Sequence, residues 1–214
     1  YGEPTNYNII ALLPTYLENK NSSLIYMVNN LIEKSKNVHS GFYLNNYKEL
    51  RDKLLYLEAK KRKTILFGVS YALLNLIDLH KFNLKNTIII ETGGMKGRGK
   101  ELTRETLHKV LQKSLNPNAI HSEYGMTELL SQAYLQGELF TTPRWLKPLV
   151  RDTTDPLTSK LEGKGALNFI DLANLHSCSF IATDDLGLVT QKGDFTVSGR
   201  LDHSEIRGCN LLVL

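Results

Sequence analysis

The chain has 214 residues, 42% apolar and 22% charged, with 26 Lys and Arg against 22 Asp and Glu for a formal charge of +4. That is enough chain to bury a sizeable core, in one large domain or two small ones, and too mild a charge to suggest a nucleic-acid partner. Two cysteines are too few for a disulfide framework; no apolar run is long enough to span a membrane and no signal peptide is visible, so a cytoplasmic globular protein is expected.

Asn8–Leu13 is a short apolar run closed by Pro14, the pattern of a buried strand. Ser22 and Ser23 can cap a helix whose face is Leu24, Met27, Val28, Leu31 and Ile32. Gly41–Leu44 predicts a second strand, and Asn45 or Asn46 a cap for a helix with Leu50, Leu54 and Leu57 inward. Thr64–Val69 predicts a buried strand, Ser70 opens an apolar helix through Leu79, and Thr87–Ile90 is rich in β-branched residues, as strands are. Leu102–Leu115 places Leu107, Val110, Leu111 and Leu115 on one side of a helix, and Ala119-Ile120 starts another strand. Such alternation predicts an α/β fold, a mostly parallel sheet with helices on both faces.

After about Gly137 the texture changes. Pro143 and Pro148 interrupt the chain, and Leu146–Val150, Gly165–Asp171, Ser179–Ala182, Gly187–Thr190 and Asp194–Val197 read as short strands between Gly and Asp turns. The expected organisation is therefore an α/β nucleotide-binding part over residues 1–140 and a smaller β-rich subdomain over 141–214.

The chemistry concentrates in His121–Glu128, HSEYGMTE. Gly125 beside Tyr124 lets backbone pass close to a flat ligand such as an adenine ring. Thr127 offers a hydroxyl to a phosphate, and Glu128 a carboxylate that could hold Mg²⁺. A plain strand-to-helix turn, with Thr127 or Glu128 at a helix start, explains the same residues. Thr92–Lys100, TGGMKGRGK, follows a strand and precedes a helix. Gly94–Lys100 matches the spacing of a phosphate loop, but Glu101 stands where a hydroxyl should meet Mg²⁺, and the dinucleotide fingerprint fails at Leu102. Asp184 and Asp185 follow a strand, where a carboxylate can accept two hydrogen bonds from a ribose diol or simply make a turn. Arg200, after Gly199, could reach ribose or phosphate with its forked donors. Of the cysteines, Cys178 lies in an apolar strand setting that predicts a core thiol, and Cys209 lies near the end beside Gly208.

Tyr124-Gly125-Met126-Thr127-Glu128 resembles the YGxTE motif of the adenylate-forming enzymes, the superfamily of acyl-CoA synthetases and firefly luciferase. Thr183–Gly187 is similar to the family's TGDLG, with Asp184 in place of Gly, and Gly199–Asp202 is similar to its GRxD hinge, in the same order. LLPTYLENKNSSLIYMVNNLI, ETGGMKGRGKELTRE and GRLDHSEIRGCNL resemble, more narrowly, the acyl-protein synthetases of bacterial bioluminescence, the LuxE type, over nearly the whole chain. The resemblance implies ATP and Mg²⁺ as cofactors, Gly93-Gly94 with Tyr124-Gly125 beside the adenine, Thr127 at the phosphates, Glu128 on the metal, Asp185 on the ribose and Arg200 on ribose or phosphate. It also implies Cys209 as the residue that receives the acyl group.

The expected activity is activation of a carboxylic acid, a fatty acid by resemblance, to acyl-AMP with transfer to a cysteine. The partners expected are the acid and an acyl-accepting protein such as a reductase, with no nucleic acid and no membrane span. Two rivals stay open: an acid–CoA ligase like the phenylacetate enzymes, and a non-catalytic nucleotide-binding or partner-docking module. The family's Ser/Thr/Gly-rich phosphate loop would lie upstream of Tyr1, so an N-terminally incomplete chain is expected, inactive in isolation.

Overall fold

The computed structural model describes residues 1–13, 22–93, 102–155 and 157–201. The chain divides into two compact units, Tyr1–Lys100 with Arg104–His121, and Glu101–Thr103 with Ser122–Leu214. The division falls inside strand β5 (Ala119–Tyr124), so the change of texture near residue 140 lies within the second unit.

In the first unit, strands β1 (Asn8–Leu12), β2 (Gly41–Tyr43), β3 (Thr64–Val69) and β4 (Thr87–Thr92) pair in parallel in the order β2-β1-β3-β4. Parallel strands need crossover connections, and helices α1 (Ser23–Ser35), α2 (Tyr47–Ala59) and α3 (Ser70–Leu79) supply them, with α4 (Arg104–Leu115) between β4 and β5. Every residue of β1 and β3 is buried, the continuous apolar run that a strand covered on both faces requires. The caps are as the sequence predicts. Ser22 Oγ accepts from Ile25 N at 3.4 Å, and Asn46 Oδ1 from Glu49 N at 3.2 Å while its amide donates to the Glu49 carboxylate at 2.7 Å. Leu50, Leu54 and Leu57 of α2 and Leu107, Leu111 and Leu115 of α4 are buried. Helix α1 is looser than its periodicity suggests, with Val28 its one buried apolar residue among those described.

The second unit is antiparallel. From β5 the order runs through β6 (Ala133–Gln136), β7 (Leu139–Thr141), β12 (Phe195–Arg200), β11 (Phe180–Val189), β10 (Gly163–Asp171), β8 (Leu146–Arg151) and β9 (Ser159–Lys160). Parallel pairing among the described strands is thus a property of the first unit, and the expectation of a mostly parallel sheet applies there alone. The core of the second unit is aromatic. Tyr124, Phe140, Phe169 and Phe195 are 5% exposed or less, with ring centroids 5.2–5.7 Å apart.

Two features depart from the sequence reading. Residues 133–141 form a hairpin, closed by the two-residue turn Gly137-Glu138 with Gly137 at φ 78°. Strand β11 runs unbroken from Phe180 to Val189, so Asp184 and Asp185 lie inside a strand rather than at a turn between two. The low strand propensity of Asp-Asp-Leu-Gly is overridden by tertiary partners: Thr183 Oγ1 accepts from Asp185 N at 3.1 Å and donates to Leu167 O at 2.8 Å. Gly199-Arg200 ends β12.

The last glycine of the TGDLG-like stretch has a packing reason. A Cβ on Gly187 would lie 2.0 Å from Thr196 O on the paired strand and 3.1 Å from Leu167. Backbone cannot yield as a side chain can, so Gly187→Ala should cost about 1–3 kcal/mol in urea unfolding, the usual penalty of overpacking. Unchanged stability would contradict the close approach.

Candidate functional site

Within the second unit, the ends of β5 and β12 and the first half of β11 border a cleft of about 120 Å³ lined by Tyr124, Gly125, Glu128, Asp184, Asp185 and Arg200, among others. Clefts that enclose a whole small ligand are roughly 300–1,000 Å³, so this one has room for only part of such a ligand. Three stretches far apart in the chain converge here because β11 pairs with β12 in a register that sets Asp185 opposite Arg200.

Asp185 is the buried charge of the cleft, its side chain 4% exposed. Tyr124 Oη donates to its Oδ2 at 2.7 Å, and Arg200 Nε lies 3.6 Å from its Oδ1, close enough for ion-pair attraction but beyond hydrogen-bond reach. Arg200 also donates from Nη2 to Asp184 Oδ2 at 3.3 Å. Its Nε and Nη1 are buried and make no hydrogen bond among the described residues. Unspent guanidinium donors beside a cleft suit a ligand with oxygen acceptors.

Tyr124 has a second task that the sequence did not reveal. Its ring packs among Phe140, Phe169 and Phe195, so one side chain joins the aromatic core to the Asp185 carboxylate. At Gly125 a Cβ would meet Glu123 Oε1 at 2.3 Å, the end of a flexible side chain, which makes the glycine requirement soft. Glu128 is exposed and lines the cleft; Thr127 is exposed in the same turn. Among the described residues no three His, Cys, Asp or Glu side chains cluster as metal ligands. Mg²⁺ at a nucleotide takes one or two carboxylates and completes its shell with phosphates and water, so the oxygen donor of Glu128 fits that ion.

The segment carrying Glu128 is tied down by residues that carry no motif. Asp171, fully buried, accepts from Leu130 N at 2.8 Å, Ser131 N at 3.0 Å, Ser131 Oγ at 2.7 Å and Ala173 N at 3.1 Å. Asn174 Nδ2 donates to Glu128 O at 3.0 Å, and Trp145 Nε1 to Ser131 Oγ at 3.0 Å. An Asp that ends an apolar strand run was the available sequence signal.

Gly93 belongs to the first unit. It follows β4 with φ 68°, a left-handed conformation that glycine adopts without strain, and Ser70 Oγ donates to its carbonyl at 2.9 Å. The same hydroxyl lies 3.2 Å from the buried Glu91 carboxylate, which has His108 Nε2 at 3.7 Å on its other oxygen. Burial lowers the Arg104 guanidinium below its ordinary value, and the charge of Glu91 opposes that shift. Gly94 and Cys209 lie outside the described residues. Cys178, expected in the core, is instead exposed, its Sγ 3.2 Å from Phe180 O, because it precedes β11 in the loop after Asp171.

Solved structures carry the same architecture. Coronafacic acid ligase from Pectobacterium brasiliense, as its R395G mutant, matches with a TM-score of 0.60 at 16% identity over 96% of this chain and 41% of its own. The fold is that of the adenylate-forming enzymes. ATP-bound MatB from Rhodopseudomonas palustris matches this adenylate-forming fold with a TM-score of 0.61 at 17% identity, over 92% of this chain and 41% of its own. O-succinylbenzoate coenzyme A synthetase from Bacillus subtilis, in complex with AMP, matches with 0.55 at 13%, over 94% and 42%. This chain therefore spans about two fifths of the length of these structures. No family model and no curated protein matches the sequence. No described helix is long and apolar enough to cross a membrane.

Asp171→Asn turns an amide N–H₂ toward backbone donors that now meet a carboxylate. It should destabilise by about 1–3 kcal/mol in chemical denaturation, the cost of leaving buried donors unpaired. A variant as stable as the parent would show that the four bonds are dispensable.

Proposed function

We propose that the chain is part of an enzyme that activates a carboxylic acid with ATP and passes the acyl group to a thiol. The observation that supports this best is the convergence of Tyr124-Gly125, Glu128, Asp185 and Arg200, from three separate stretches, on one cleft of an adenylate-forming fold. In this reading Asp185 accepts the ribose hydroxyls, and the unspent donors of Arg200 meet ribose or phosphate oxygen. The resemblance assigns Gly93 and Gly94 to the adenine and Thr127 to the phosphates. Glu128 would hold Mg²⁺, which supplies charge compensation at the triphosphate when bound.

The chemistry is an exchange of anhydrides followed by thiol acylation. A carboxylate oxygen of the acid bonds to the α-phosphorus, the bond from that phosphorus to the bridging oxygen breaks, and pyrophosphate leaves. The resulting acyl-AMP carries an electrophilic acyl carbon. A cysteine thiolate then bonds to it and AMP departs with the electron pair of the broken C–O bond. We assign the thiol to Cys209, on the likeness of its neighbours to the acyl-protein synthetases. The same likeness favours a fatty acid as substrate and a reductase-type protein as partner in acyl transfer.

Glu128→Ala should slow ATP–pyrophosphate exchange by on the order of 10²-fold or more in the complete gene product, the scale of losing one electrostatic contact at a transition state. It should leave the fold intact, because the side chain is exposed. Exchange at the parent rate would remove Glu128 from the site.

Cys209→Ser should still form acyl-AMP but accumulate no hydroxylamine-sensitive acyl-protein bond, since a hydroxyl is a far weaker nucleophile near neutral pH. Cys178 is exposed, so Cys178→Ser is the needed control, and it should leave labelling intact. Labelling that survives Cys209→Ser would put the acceptor elsewhere, and a soluble acyl-CoA product would make that acceptor CoA.

A further inference from the structure

Among the described residues that line the cleft, Glu128, Asp184 and Asp185 bring three carboxylates and Arg200 one guanidinium. The ligand proposed for the cleft is itself an anion. Asp185 is buried against Tyr124 and Arg200, and Glu128 is the residue assigned to a cation. Asp184 has neither place. Its side chain is 48% exposed, and it accepts from Arg200 Nη2 at 3.3 Å. Its side chain is not what sets the strand path, because Leu201 N donates to the Asp184 main-chain oxygen at 2.9 Å. The carboxylate at this position therefore acts on the cleft through charge and through its hold on one arm of Arg200.

We propose that Asp184 is a specificity-determining residue, which sets how much negative charge the cleft accepts from a ligand that arrives without a divalent cation. It competes with ligand oxygen for Arg200 Nη2 and adds repulsion at the rim. A neutral nucleoside is indifferent to it. A nucleoside monophosphate is opposed by it, and a triphosphate is opposed more strongly until a cation offsets the added charge. The proposal rests on the nucleotide reading of the cleft.

The test titrates the parent chain and Asp184→Asn with adenosine, with AMP, and with ATP in the presence and absence of Mg²⁺. Asparagine keeps an acceptor for Nη2 and removes the charge, which separates the two roles. Adenosine affinity should change less than about twofold. AMP affinity without Mg²⁺ should rise about three- to fivefold, the effect of one partly exposed charge, and the gain should shrink in high salt. For ATP the gain should be larger without Mg²⁺ than with it. Asp184→Glu should behave as the parent. Equal gains for adenosine and AMP, or weaker AMP binding by Asp184→Asn, would overturn the proposal. If the parent binds AMP and Asp184→Asn binds it no differently, the role of Asp184 falls alone. If the parent binds neither adenosine nor AMP, the nucleotide reading falls and takes this inference with it.

Discussion

Asp171 ends β10 with no exposed surface, and its carboxylate accepts four hydrogen bonds, three of them from Leu130 and Ser131. A buried carboxylate is costly unless its oxygens are satisfied, so the chain beyond β5 cannot leave without stranding a charge. Asn174 extends the same restraint to the carbonyl of Glu128, and Trp145 closes it over the Ser131 hydroxyl. The consequence is a tethered main chain under an exposed side chain: Glu128 lies at the cleft on a segment whose position is fixed from below.

The cleft itself is built by strand register. Antiparallel pairing of β11 with β12 sets Asp185 opposite Arg200, and Tyr124 reaches Asp185 from the end of β5. The aromatic cluster of Tyr124, Phe140, Phe169 and Phe195 supplies the apolar support beneath. One hydroxyl thus couples core packing to the electrostatics of the site. A change at Tyr124 would be felt in both, so its effect on stability and its effect on binding have to be measured separately.

Much of the first unit was legible because its signals are local. Ser22 and Asn46 cap the helices that follow them, and the β-branched runs of β3 and β4 are strands. The motifs at Tyr124, Asp185 and Arg200 were legible as residues that belong together. Their environment was not, because it depends on contacts distant in sequence. Asp184 and Asp185 read as a turn, since two carboxylates and a glycine depress strand propensity; the compensation comes from Tyr124, Thr183 and Arg200. In sequence Asp171 is the end of an apolar strand run, and the donors that give it meaning lie some forty residues earlier in the chain. The apolar residues after Cys178 suggest a core position, while its own position is an exposed loop. The hairpin at Gly137 had a two-residue turn signal that the surrounding change of texture obscured.

A crystal structure of the protein with AMP would test the proposal that this cleft receives a nucleotide through Asp185 and Arg200. Ribose hydroxyls are expected within hydrogen-bond distance of the Asp185 carboxylate and ligand oxygen on Arg200 Nε or Nη1, which make no hydrogen bond among the described residues. AMP bound away from the cleft, or in the cleft with neither side chain in contact, would contradict it.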